Sequence, residues 1–426
     1  MLMLSVLILF IALTLLGTPL FFSFGLAATY ACLAGDIPLR IIAQQMMIGM
    51  DSFTLLSIPG FILVGEIMCQ GGIARRAVEF ANSLMGHFKG GLSMVAVFTG
   101  MVMGGISGSA VADTAAVASV LVKSMEKENY PRDFSSAVVG TAGPLGNIIP
   151  PSIPMVVYSM VGGLSLLDLF LAGYIPGMMI GVSLMAFCHI TSKKKGYGPP
   201  ITNKFSGLKV WVTFKRSILA IFTAVIIVGG IVSGMFTPTE SAMIGAVYSL
   251  AVAVVIYKEM CLNQLPKVLV DSAKTTAKLV IIIASATVFS YISINEGVPE
   301  LFRDFMMGIS RNKIVILLIL NIILLLAGCV IDILVATVII VPVLIPLSEA
   351  MGIDQLHVAL IFVINMSIGL LTPPVGYCLF VSSAIAGIPM EQTAKASIPI
   401  VIIMVGILLL VTIFPQLTLL VPMLVH

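Results

Sequence analysis

The sequence predicts an all-α polytopic membrane protein, and three observations carry that prediction. Hydrophobic residues fill 59% of the 426 positions and charged residues only 10%, with a mean hydropathy of +1.16. Apolar runs recur from Leu2 to Val425. The stretch GTAGPLGNIIPPSIP at 140–154, dense in helix breakers, has a partner 223 residues further on. A chain so apolar over its whole length belongs in a bilayer.

Charge excludes one class of partner. The 22 basic and 19 acidic residues leave a net charge of +3, too mild for nucleic acid, and the basic residues cluster in loops, where they set topology. The first segment, MLMLSVLILFIALTLLGTPL, lacks a basic n-region and a small-residue cleavage site, and is expected to remain as a span. Cys32, Cys69, Cys188, Cys261, Cys329 and Cys378 are scattered singly in apolar surroundings and are expected to be small packing residues.

A spanning helix needs about 20 residues. On that scale the first half has spans near 2–17, 20–35, 54–70, 134–160 and 166–190, and the second half near 217–234, 240–257, 279–294, 358–384 and 397–420. Two apolar stretches, 92–122 and 314–347, have weak centres, GGISGSAVAD and AGCVIDILVAT. Each is too short to cross twice with full-length arms, so both are expected to be re-entrant hairpins whose tips line a site, because bare backbone survives at that depth only beside protein or a water-filled cavity. IPLRIIAQQM, IARRAVEFANSLMG and LPKVLVDSAKTTAK each have one apolar face at helical spacing and are expected to lie in the interface or act as short arms.

With the N-terminus outside and each hairpin entering and leaving on one side, 18 basic residues lie inside, from Arg75 and Arg76 through Lys204 to Lys395. Four lie outside: Arg40, Arg303, Arg311 and Lys313. The positive-inside rule favours this orientation over its inverse and puts both termini outside.

At an offset of 223, Gly105 meets Gly328, Thr114 meets Thr337, Gly146 meets Gly369 and Ser159 meets Ser382, while Pro150, Pro151 and Pro176 meet Pro373, Pro374 and Pro399. Three of the six prolines in 93–185 match, where chance gives roughly 0.3. GTPLFFSFGLAATY and MFTPTESAMIGAVY extend the echo to the start of each half. The expected organisation is a first repeat over 1–192, a basic cytoplasmic linker over 193–216 and a second repeat over 217–426. Five crossings per half is an odd number, so the second copy is inverted. That is the architecture of secondary transporters, whose sites lie near the midplane at discontinuous helices.

The candidate site follows. Ser107, Gly108 and Ser109 form the first hairpin tip and offer hydroxyls and open backbone, or simply allow close helix packing. Asp332 is an intramembrane carboxylate in the second hairpin, an ion ligand or a hairpin-stabilising acceptor. Asp113 is a further ligand or the cap of the second hairpin arm. Asn147 and Thr372 sit in the two proline breaks and supply oxygen or cap helices. Proline removes a donor, so carbonyls near Gly146, Asn147, Gly369 and Thr372 lose their helical partners. Freed carbonyls suit Na⁺, while exposed half-helix N-termini suit a substrate carboxylate. Glu66 and Glu240 are expected to hold interhelical or subunit contacts.

GGISGSAVADTAAV, GNIIPPSIPMVVY and LLTPPVG, in this order, resemble the large membrane subunit of tripartite ATP-independent periplasmic (TRAP) transporters, over essentially the whole chain. The resemblance implies an elevator-type fold of an ion-transporter superfamily in a bacterial inner membrane. It also implies Na⁺-coupled uptake of an organic acid, such as sialic acid or a C4-dicarboxylate. The implied partners are a small four-helix membrane subunit, expected here as a separate chain, and a periplasmic substrate-binding protein. The Na⁺ sites it implies lie around Ser107, Gly108 and Ser109, Gly143 to Asn147 with Gly146 between, Gly328 to Asp332, and Thr372 to Gly376. Ser107, Ser109, Pro150, Pro151, Pro373 and Pro374 are expected beside the substrate.

The chain has no G-x-x-x-x-G-K-[ST] loop, which argues against ATP as the energy source, and neither HExxH nor clustered carboxylates for an intramembrane enzyme. A self-sufficient carboxylate transporter of the same superfamily and a channel are the alternatives.

Overall fold

The computed structural model describes residues 2–199 and 206–425, and leaves the side chains of Leu4, Leu15, Ala74, Ile106 and Ser107 outside the described set. Lys204, expected in the cytoplasmic linker, lies outside the described residues.

Apolar helices α1 (Leu2–Leu15) and α2 (Leu20–Ala34) are packed together. They are followed by α3 (Arg40–Met50) and α4 (Ser57–Gln70), with a single turn of tighter helix between them and a bend of 61° at the joint. The strongly amphipathic α5 (Ile73–Met85) leads into the first hairpin, α6 (Gly91–Ser107) and α7 (Ala110–Lys127). The next span is broken into α8 (Arg132–Gly140), α9 (Ala142–Ile148) and α10 (Ile153–Gly162), and α11 (Leu166–Lys195) completes the half.

The second half begins with α12 (Gly207–Val232) and α13 (Pro238–Ala251), then a long α14 (Leu265–Asn295) and the amphipathic α15 (Val298–Ile309). The second hairpin is α16 (Lys313–Gly328) and α17 (Ile333–Met351). A second broken span, α18 (Gln355–Gly369) and α19 (Tyr377–Ala386), leads to α20 (Met390–Ile413) and α21 (Gln416–Val425).

Capping side chains start several of these helices. Asn312 Oδ1 accepts from Ile314 N at 2.9 Å, Asp332 Oδ1 from Leu334 N at 2.9 Å and Asp354 Oδ1 from Leu356 N at 2.8 Å, satisfying first-turn donors that have no partner within their helices. Thr237 and Glu240 form a reciprocal capping box at α13, with Thr237 N donating to Glu240 Oε2 at 2.8 Å. Glu240 is therefore a cap and not the expected interhelical contact.

The two halves interleave. Helix α4 packs on α13 and α14 on α2; α7 packs on α19 and α10 on α17; α6 packs on α9 and α16 on α18. Helices α7 and α17 begin 223 residues apart, at Ala110 and Ile333, and so do α8 and α18, at Arg132 and Gln355. The buried apolar side chains from both halves form one main cluster.

Three sequence expectations change. LPKVLVDSAKTTAK is no separate arm but the first turns of α14, whose polar face stays exposed at Lys267, Lys274 and Lys278. The span placed at 397–420 is interrupted at Phe414, where α20 gives way to α21. The linker placed at 193–216 is largely helical at its ends, since Lys193 to Lys195 close α11 and Lys209, Lys215 and Arg216 lie in α12.

Candidate functional site

Both hairpin tips and the first proline break line one cavity of about 180 Å³. From the first tip come Gly108 and Ser109, with Ala110, Val111 and Ala112 opening α7; from the second come Asp332, Ile333 and Leu334, opening α17. The first break contributes Asn147, Ile153 and Pro154, and the opposite wall carries Glu66 and Cys69 of α4 with Thr275 and Leu279 of α14.

Local chemistry explains the turns. Gly108 ends α6 with φ of 61°, a left-handed conformation that glycine adopts without penalty, and a Cβ there would meet Ile153 N at 3.0 Å. The first tip thus touches the backbone of the first break directly. At the second tip, Val375 N donates to the Cys329 carbonyl at 3.4 Å, so the second break is likewise tied to its own hairpin. The Pro150–Pro151 and Pro373–Pro374 peptide bonds are both cis.

The carbonyls released by the prolines find partners nearby. Ser152 Oγ donates to Asn147 O at 2.6 Å, Thr372 N donates to Gly369 O at 3.0 Å, and Thr372 Oγ1 donates to Ile368 O at 3.0 Å. Local polar groups thus do part of the work expected of an ion. Asn147 itself is 2% exposed, and its Nδ2 lacks a protein partner while the residue lines the cavity. An amide donor buried in this way is costly unless something else accepts from it.

The remaining expected residues, where described, lie outside this lining. Gly143 wedges α9 against its neighbours, where a Cβ would stand 2.6 Å from both Cys378 Sγ and Thr114 Oγ1. Gly146 packs on Gly104, and Gly328 on Gly369. Pro150 and Pro151 are buried behind the break, while Pro373 and Pro374 are exposed and Thr372 is half-buried. Gly376, with φ of 48°, caps the start of α19. The Ser107 side chain is outside the described set. Asp113 is not the cap of α7: Ser109 holds the N-cap position, and Asp113 lies one turn inside, fully buried against Gly146.

Electrostatically the cavity joins opposite tendencies. The first turns of α7, α10 and α17 face it, and helix N-termini favour anions. Asp332 already caps α17, whereas the N-caps of α7 and α10 are the neutral Ser109 and Ser152. No lysine or arginine is among the lining residues, and both of its ionisable carboxylates, Glu66 and Asp332, are acidic.

Residues 7–417 match the family described as tripartite ATP-independent periplasmic transporter, DctM component. The chain belongs to this family. It is a TRAP large permease, a multi-pass membrane protein. It is 37% identical over 407 residues to the sialic acid TRAP transporter large permease protein SiaM of Vibrio cholerae, covering 95% of each chain. Identity to the C4-dicarboxylate TRAP transporter large permease protein DctM of Pseudomonas aeruginosa is 40% over 384 residues, covering 90% of this chain and 89% of that one. The isethionate TRAP transporter permease protein DctMQ of Oleidesulfovibrio alaskensis is 36% identical over 404 residues, and the match covers 94% of this chain but only 63% of that longer relative. In fold, the permease is similar to the YdaH transporter of Alcanivorax borkumensis, with a TM-score of 0.65 at 13% identity and 90% coverage of each chain.

Sequence reasoning found the tips and breaks because glycine, serine and proline announce them. It did not find Glu66 or Thr275 in the lining. The signal available for Glu66 was an acid inside an apolar run, FILVGEIM, which identifies a buried carboxylate but not what it faces.

Proposed function

We propose that this permease performs Na⁺-coupled uptake of an organic acid delivered by a periplasmic binding protein, with a separate small four-helix membrane subunit as its partner. The observation that carries the reading is the convergence of both hairpin tips and the Asn147 break on one cavity. Hairpins that crossed the membrane completely would put their tips at opposite surfaces. Tips that meet inside the protein fit re-entrant elements arranged around a midplane site.

The division of labour follows from the polar groups. The Asn147 amide and the N-terminal turns of α7 and α10 suit the substrate carboxylate, while the oxygens of Asp332 and Ser109 suit Na⁺. Relatives named for sialic acid and for C4-dicarboxylates are about equally similar, so the proposed class is the organic acid.

The exchanged contacts, α4 on α13 against α14 on α2 and α7 on α19 against α10 on α17, support two inverted repeats over 1–192 and 217–426. Such reciprocity is what a two-fold relation produces. In an elevator movement, the hairpins and broken spans travel as one body against a scaffold that includes α2, α4, α13 and α14. The positive-inside count supports the bacterial inner membrane with both termini periplasmic.

The test is uptake into proteoliposomes containing both subunits and supplied with the binding protein. A panel of labelled organic acids is compared with and without an inward Na⁺ gradient. Accumulation that needs both the gradient and the binding protein supports the reading. Uptake indifferent to Na⁺ overturns the coupling.

A further inference from the structure

We propose that Glu66 is a release residue: its carboxylate, fixed on the scaffold wall of the cavity, repels the bound organic anion when the hairpin tips face the cytoplasm. This rests on the transport reading above and assigns a role to a residue that the reading leaves unused.

Glu66 is on α4, one turn before its last residue, Gln70, and the chain then turns at Gly71 and Gly72 towards Arg75 and Arg76 at the inner surface. Its side chain is half-buried and lines the same cavity as Ser109, Asn147 and Asp332. It makes no ion pair or hydrogen bond among the described residues, and the lining offers no basic side chain. A structural carboxylate at this depth would be expected to have a partner.

The opposite face of the cavity is built for an anion, with the first turns of α7 and α10 and the unpartnered Nδ2 of the 2%-exposed Asn147. Na⁺ at Asp332 would neutralise that carboxylate and leave Glu66 as the uncompensated charge. The anion-binding groups are on the moving first hairpin and first broken span, whereas Glu66 and Thr275 are on the scaffold helices α4 and α14. The repulsion therefore acts only while the tips stand opposite this wall. It weakens binding on the cytoplasmic side and leaves capture from outside untouched, which biases the cycle towards release inside.

The experiment uses the complete complex in proteoliposomes, with N-acetylneuraminate or succinate as probe, whichever the wild type transports. Half-saturation is measured by exchange from each side, together with Na⁺ dependence. Glu66→Gln should lower half-saturation for the anion on the cytoplasmic side by roughly three- to tenfold, with the outer side and the Na⁺ half-saturation unchanged. Glu66→Ala also removes the charge, should give the same shift, and decides the matter if Glu66→Gln does not assemble; Thr275→Asp, which adds a second carboxylate to the same wall, should raise the cytoplasmic value. An unchanged cytoplasmic half-saturation, or an equal shift on both sides, overturns the proposal. A raised Na⁺ half-saturation also overturns it, by making Glu66 a cation ligand. If the wild type shows no Na⁺-driven uptake of any acid in the panel with both partners present, the transport reading itself fails and the proposal falls with it. Wild-type transport without a Glu66 effect removes the proposal alone.

Discussion

Gly328 and Gly369 meet backbone to backbone: a Cβ on Gly369 would stand 2.7 Å from Gly328 Cα. The contact locks the first arm of the second hairpin to the helix that precedes the second break. The first half repeats it between Gly104 and Gly146, where a Cβ on Gly104 would lie 2.9 Å from Gly146 N. Backbone atoms cannot swing aside as a side chain can. Gly369→Ala should therefore destabilise the permease by ~1–3 kcal/mol, while Gly406→Ala, which points into open space, should stay within ~0.5 kcal/mol. Thermal unfolding in detergent checks the pair, and equal midpoints would contradict the packing argument.

Asp332 has two tasks that one substitution separates. Its Oδ1 caps α17 through Leu334 N, and asparagine can accept the same hydrogen bond. Asp332→Asn should keep thermal stability close to wild type and still lose most Na⁺-driven uptake. Asp332→Ala should lose the uptake and a further ~1 kcal/mol of stability. Full Na⁺ dependence in the asparagine variant would remove the carboxylate from the ion site.

Topology is tested by cysteine accessibility in a background without the six native cysteines. Lys195→Cys at the end of α11 should react only with reagents on the cytoplasmic side, and Lys313→Cys at the start of α16 only from outside. The reverse pattern would invert the orientation and, with it, the side on which Glu66 acts.

Glu259, in the connection between α13 and α14, holds the first turn of α5. Its Oε1 accepts from Arg75 Nη2 at 2.6 Å and forms an ion pair with Arg76 Nη1 at 2.8 Å, and the Arg76 guanidinium lies 3.7 Å from the centre of the Tyr257 ring. The side chains of Arg76 and Glu259 are 16% and 23% exposed and that of Arg75 is 60% exposed, so the three are not equivalent. Arg76→Ala should cost about 1–2 kcal/mol, and Arg75→Ala at most about 1 kcal/mol. Unfolding midpoints measured at low and high salt would expose the opposite ranking.

Local signals made much of the fold legible. Proline and glycine mark the breaks and tips wherever they occur, and a 223-residue period needs only the sequence to be compared with itself. Where neighbours decide, the sequence was less informative. LPKVLVDSAKTTAK looks like an arm because its lysines are polar, yet nothing in it stops a helix, and α14 runs through to Asn295. For Glu240 the local signal was T-P-T-E, a capping box whose acid faces its own helix start and not a neighbouring helix. Glu66 depended on the rotation of α4 against hairpins that follow it by dozens to hundreds of residues. No local pattern encodes that register.

The interleaving of the halves has a consequence for biosynthesis. Cys378 Sγ donates to the carbonyl of Ala110 at the start of the first hairpin's second arm, across 268 residues of chain. At ~5–20 residues per second, about 13–54 s pass between the synthesis of the two partners. For that interval the first hairpin, with Asp113 and Thr114 on its second arm, waits at the membrane without the half of the protein that will enclose it. Asp113 and Thr114, fully buried in the finished protein, stay without that cover until α19 arrives.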